Sequence, residues 1–111
     1  MALVTEQAAF LTDVCSLIQW ATGCGWTVTG GELHRTAEQQ TIYVKTGRSK
    51  TMNSNHLRRL AIDLNFFKDG ALVYDDRLKA IGDFWEGLNP KNRWGGNFSG
   101  FVDKPHFERR V

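Results

Sequence analysis

No apolar run in these 111 residues approaches the roughly 20 needed to cross a bilayer. No lysine or arginine precedes Arg35. The opening "MALVTEQAAFLTDVC" therefore lacks the basic region of a secretory leader. The chain is expected to be made and folded in the cytoplasm, so work elsewhere needs some other way out. Cysteine is scarce as well. Cys15 and Cys24 have neither a CxxC nor a familiar metal-ligand spacing, and they read as two free, mostly buried thiols. Repeats, linkers and low-complexity segments are missing, so residues 1–111 are expected to form a single domain.

What is present fits a soluble globular protein. The hydrophobic fraction is 41% and the aromatic fraction 12%, which excludes a disordered chain. A net charge of +2 gives no argument for nucleic acid. Thr5 reads as a helix N-cap with Glu6 in the first turn. Phe10, Leu11, Val14, Leu17, Ile18 and Ala21 then share a helical face, which ends at Gly23 and Gly25. "WTVTG" reads as a short strand. Thr36 to Gln39 fits a capping box and opens a helix that stops near Gly47. "GRSKTMNSN" is a polar, basic loop. From Leu60 to Phe67 the pattern alternates, and "KDG" turns the chain into "ALVY". Asp75 or Asp76 caps a helix with Leu78, Ile81, Phe84 and Leu88 inward, and Pro90 follows its end. The last twenty residues read as loop and short strands. The fold class is α+β, a small antiparallel sheet flanked by helices.

The chemistry concentrates in "SNHLRRLAIDLNFF". His56 and Asp63 are seven residues apart. Along a straight strand that separation is ~23 Å and points the side chains to opposite faces. On a helix they would stand ~10 Å apart along the axis. A turn at "LRR" is needed to bring them together. Asp63 lies opposite the apolar face of Leu60, Ile62, Leu64 and Phe66, so it points either into a cleft or to water. Downstream, "DKPH" places Asp103 three residues before His106, with Pro105 stiffening the turn. Two histidines, one aspartate and a free carboxylate make up the inventory of a catalytic zinc site. His34, in a probable loop, reads as a surface residue.

These residues resemble a known family. The zinc D-alanyl-D-alanine carboxypeptidases, and their phage endolysin branch of L-alanyl-D-glutamate peptidases, carry S-x-H-x-x-G-x-A-x-D and, downstream, acid-x-x-H. Here the motifs read "SNHLRRLAID" and "DKPH" followed by "FE", with Arg35 and Gln40 matching an upstream R-x-x-x-x-Q. The approach "RWGGNFSGFVDKPHFE" is similar to the endolysin branch. The resemblance runs from about Trp26 to Glu108 and implies a hedgehog/DD-peptidase-like fold. It implies Zn²⁺ held by His56, Asp63 and His106, with Asp103 as catalytic base. Arg35 would stabilise the oxyanion or hold a substrate carboxylate, and Ser54 and Gln40 would contact substrate. Arg59 stands where the family has glycine. Either the turn differs there or the position never needed positive φ.

The implied partner is the peptidoglycan stem peptide, cut by a lysin expected to be a monomer with no separate wall-binding domain. The lysin would be made in a host cytoplasm and act at the cell wall after release. Lys45, Arg48, Lys50, Arg58 and Arg59 would favour an anionic wall or simply be solvated. Other readings remain open: a D-Ala-D-Ala carboxypeptidase, a non-catalytic zinc-containing murein-binding module, or a His-Asn-His nuclease. The bond cut is not fixed by these residues.

Overall fold

A computed structural model describes residues 2–49 and 54–110. Lys50, in the basic loop, lies outside them. Helix α1 spans Leu3–Gly23, strand β1 Thr27–Gly30 and helix α2 Ala37–Lys45. A 3-10 turn over Asn55–Arg58 leads into β2, Ala61–Lys68, and β3, Ala71–Leu72. Helix α3 covers Lys79–Leu88, and β4 (Asn92–Trp94) and β5 (His106–Arg109) close the chain. The strands run antiparallel in the order β1-β2-β5-β4, with β3 paired to the end of β2. This is the expected α+β arrangement.

Local signals set several boundaries as anticipated. Thr36 caps α2 by accepting a hydrogen bond from Gln39 N at 3.1 Å. Asp75 caps a 3-10 turn over Asp76–Leu78 that runs directly into α3. Asp69 and Gly70 turn β2 into β3 with φ of 52° and 78°.

Three expectations at α1 need correction. The helix starts earlier than Thr5, with Ala2 as N-cap and no side-chain cap. A long helix with a packed face does not depend on one capping hydroxyl. Leu11 is 51% exposed, because the packed stripe is Phe10, Val14, Leu17 and Ala21. Both cysteines are free but exposed. Cys15 follows Val14 by about 100° around the helix, which turns it off the packed stripe.

The core lies between α1, α3 and one face of the sheet. Ile62, Leu64, Phe66 and Phe107 supply the sheet's contribution. Trp85 of α3 is fully buried and meets Phe10 and Phe107 edge-on at 5.5 and 5.9 Å. Its indole N–H donates to the carbonyls of Arg93 and Glu108 at 3.1 and 3.2 Å, so one side chain ties α3 to β4 and β5. Beside it lies a buried ionic cluster. Arg109, 3% exposed, pairs with Asp13 and approaches Glu6 at 3.6 Å. Asn92 accepts from Arg109 Nε at 3.2 Å and donates to Asp13 at 3.1 Å. Charges from α1 and the last strand are thus locked together under the sheet.

The other face of the sheet is left for the cleft. Side chains alternate along a strand. The registers Asp63↔His106 and Arg93↔Glu108 therefore put these four residues on the face turned away from the core.

Candidate active site

Each candidate donor comes from a different element. His56 sits in the 3-10 turn, whose N-cap Ser54 accepts from His56 N at 3.2 Å. The turn reverses at Arg59, which has φ 56° and ψ 37°. "LRR" therefore does turn the chain, and the family's glycine position does require the left-handed region. Arginine there costs about 1 kcal/mol of backbone strain. Its side chain is exposed, so Arg59→Gly loses no packing. That substitution is expected to raise stability by up to about 1 kcal/mol, read from the urea midpoint.

The segment from Gly31 to Arg35 braces both donors. Gly31 N donates to Asp63 O at 2.7 Å, and Asp63 N to Glu32 O at 2.9 Å. His56 Nδ1 bonds Leu33 O at 3.0 Å, and Arg35 N donates to His56 O at 3.1 Å. A carbonyl only accepts, so Nδ1 carries a proton, which leaves Nε2 facing Asp63. His106 is oriented the opposite way. Its Nε2 bonds Glu108 Oε1 at 2.7 Å, which leaves Nδ1 facing Asp63.

Asp63 Oδ1 lies 3.4 Å from His56 Nε2 and 3.6 Å from His106 Nδ1. The three donor atoms fall within 4.8 Å of one another. Ligand atoms about 2.0–2.1 Å from one tetrahedral ion stand about 3.4 Å apart, so two of these separations match such a polyhedron's edges. Asp63 Oδ1 is also buried without a hydrogen-bond partner among the described residues. A buried carboxylate oxygen without a partner is costly unless a cation completes it. The residues present therefore fit a metal ion.

Burial pushes the Asp63 carboxyl up, but His106 and His56 outweigh it and hold the group well below the usual carboxylate range. Burial alone would lower the His106 imidazole; Asp63 and Glu108 instead raise it to about 9. Asp63 is 30% exposed, so it looks into a cleft and is neither sealed in nor fully in water.

Beside it, a cleft of about 550 Å³ is lined by His56, His106, Asp103, Ser54 and Arg35 among others. Burial raises the Asp103 carboxyl above its ordinary value, the His106 charge opposes this, and the Asp63 charge adds to it. Gly95 sets the position of this acid. Gly95 O accepts from Asp103 N at 2.9 Å, and Asp103 O accepts from His106 N at 3.1 Å. A Cβ on Gly95 would stand 2.1 Å from Asp103 O and 2.8 Å from the His106 Cβ. Gly95→Ala is expected to weaken metal binding at the three donors by about 10- to 100-fold, measured by competition with a chromophoric chelator.

Arg35 is held by several partners. It pairs with Glu32, donates to Gln40 Oε1 at 2.6 Å and to Ser54 Oγ at 3.4 Å, and lies over the Tyr43 ring at 4.6 Å. Gln40 is fully buried behind it and does not line the cleft, because its side chain is spent on Arg35 and Ser49. It stands one residue back from any substrate. His34 is exposed, as expected.

Sequence reasoning passed over Glu32, Tyr43, Phe98 and Glu108. Tyr43 donates to Glu32 Oε2 at 3.0 Å, and Phe98 packs on His106 with ring centroids 5.5 Å apart. The signal for Glu108 was available: in a strand, residue i+2 returns to the face of His106.

The sequence profile of the D-alanyl-D-alanine carboxypeptidase family matches residues 47–109, more than half of the chain. The chain belongs to this family. It is similar to the L-alanyl-D-glutamate peptidase of Listeria phage A118, with 36% identity over 97 residues, covering 83% of this chain and 34% of the relative. It thus spans about a third of the length of that curated relative. The crystal structure of the Serratia marcescens L-Ala D-Glu endopeptidase ChiX shares the fold. The TM-score is 0.77 at 20% identity, covering 93% of this chain and 79% of that one. No helix among the described residues is long and apolar enough to cross a membrane.

Proposed function

We propose that this chain is a zinc peptidase that hydrolyses the L-Ala–D-Glu bond of the peptidoglycan stem peptide, serving as a phage or prophage endolysin. The observation that carries this reading is the convergence of His56 Nε2, Asp63 Oδ1 and His106 Nδ1, with both histidines and Asp103 lining one cleft. The names of the relatives favour the endopeptidase over the carboxypeptidase.

His56, Asp63 and His106 would hold the ion. Zinc in such a site lowers the pKa of a coordinated water and polarises the scissile carbonyl. The protein's own groups do the rest. Leu33 O and Glu108 fix the histidine tautomers. Asp103 takes the proton from the attacking water and returns it to the leaving amine. Arg35, pinned by Glu32 and Gln40, meets the charge on the oxyanion or a substrate carboxylate through its remaining N–H groups. Ser54 lines the cleft and contacts substrate.

Purified peptidoglycan treated with the zinc-loaded protein is expected to release fragments with new D-Glu amino termini, identified by mass spectrometry. Chelation should stop release, and added zinc should restore it. Release of terminal D-Ala alone would replace this reading with the carboxypeptidase. An inert zinc-loaded protein that still binds the wall would leave a binding module.

A further inference from the structure

Two arginines in the cleft have no part in the mechanism above. Arg93 lies in β4 opposite Glu108, and Arg110 follows β5, with its N bonded to Lys91 O at 2.8 Å. Alternation puts Arg110 on the same face as His106 and Glu108, and the strand register adds Arg93. Both line the same cavity as His56 and His106.

The acid between them is already committed. Glu108 bonds His106 Nε2 at 2.7 Å and Asn55 Nδ2 at 3.1 Å. Burial pushes its carboxyl up, but the His106 contacts, Asn55 and the Arg110 charge leave it lowered. The cleft's other arginines are engaged elsewhere: Arg35 with Glu32, and Arg48 over the Tyr43 ring at 4.7 Å. Among the described residues, neither Arg93 nor Arg110 forms an ion pair. Arg93 and Arg110 stand together on one side of the cleft. The neighbouring pocket, past Asp63 and Asp103, holds Glu32, Arg35 and Arg48 but neither Arg93 nor Arg110.

We propose that Arg93 and Arg110 form a carboxylate subsite. It reads the free acid of the glutamyl residue on the amine side of the cleaved bond and so sets the direction in which the peptide lies. This rests on the endopeptidase reading. A glutamyl residue within a chain spends one carboxyl on the next amide and keeps the other. Guanidinium groups match a planar carboxylate through paired hydrogen bonds. The alanyl side carries no such charge.

The test uses synthetic peptides with an L-Ala–D-Glu bond whose second glutamyl carboxyl is either free or amidated. The zinc-loaded wild type is expected to favour the free acid by about 10- to 100-fold in kcat/KM, expressed mainly in KM. Arg93→Gln with Arg110→Gln should collapse that preference towards unity. Calorimetry should show weaker binding of the acidic cleavage product. Arg110 is exposed, so Arg110→Gln alone does not threaten the fold and should lower the preference by itself. A wild type indifferent to amidation, or a double variant that keeps the preference, overturns the subsite and leaves the peptidase reading intact. A wild type that cuts neither peptide but trims terminal D-Ala overturns both.

Discussion

Asp103→Asn is expected to lower kcat by about 10²- to 10⁴-fold while leaving the zinc content unchanged. Asparagine keeps the size and the backbone contacts of the residue but cannot accept a proton near neutral pH. Asp103 is not among the three converging donors, so the ion should stay. Burial holds the Asp103 carboxyl above its ordinary value. A base works only when ionised, so wild-type activity should fall as pH drops through that raised value. The variant should lose that acidic limb. Steady-state kinetics with zinc quantified in the same samples separates the possibilities. Near-wild-type turnover sinks Asp103 as the base, and lost zinc assigns it to holding the site together.

The second large effect is on stability. Arg109→Met should destabilise the fold by about 3–5 kcal/mol, because it strands Asp13 and Glu6 near the core without their cation. Arg109 is 3% exposed, and the Glu6 side chain is 8% exposed. Among the described residues only Lys91, 3.4 Å from Glu6, would remain as a cationic partner for it. For a domain of this size the loss lowers Tm by well over 10 °C. Adding Asp13→Leu and Glu6→Leu should recover much of it, since an apolar replacement of a whole buried ion cluster is often neutral. A loss below about 1 kcal/mol for Arg109→Met would mean that water enters the cluster and screens it.

The sequence carried the catalytic face further than its supports. His56, Asp63, Asp103 and His106 were legible because the motifs place them at fixed spacings, and the need for a turn at "LRR" followed from strand and helix geometry. That Arg59 adopts φ 56° was not legible, because a side chain that tolerates strain looks like one that avoids it. The braces were hidden for another reason. Leu33 O and the backbone of Glu32 act through the main chain, so no side-chain pattern marks them. Gln40 matched a motif position, yet the structure buries it behind Arg35. A motif marks a position without saying which way its side chain faces. The cysteine expectation failed because composition averages over a helix, whereas exposure depends on the angle around its axis.

The alternation in β4 and β5 has a consequence for how this region can change in length. Asn92, Trp94, Phe107 and Arg109 face the core, while Arg93, His106, Glu108 and Arg110 face the cleft. Inserting or deleting one residue in β5 would exchange its two sets, putting Glu108 under the sheet and Arg109 beside the metal donors, and the same change in β4 would turn Arg93 into the core. Insertions and deletions within these strands are therefore ruled out one at a time. The loop between Asn97 and Val102 bears no such parity, so length differences among relatives should collect there, where they reshape the cleft wall without moving the donors.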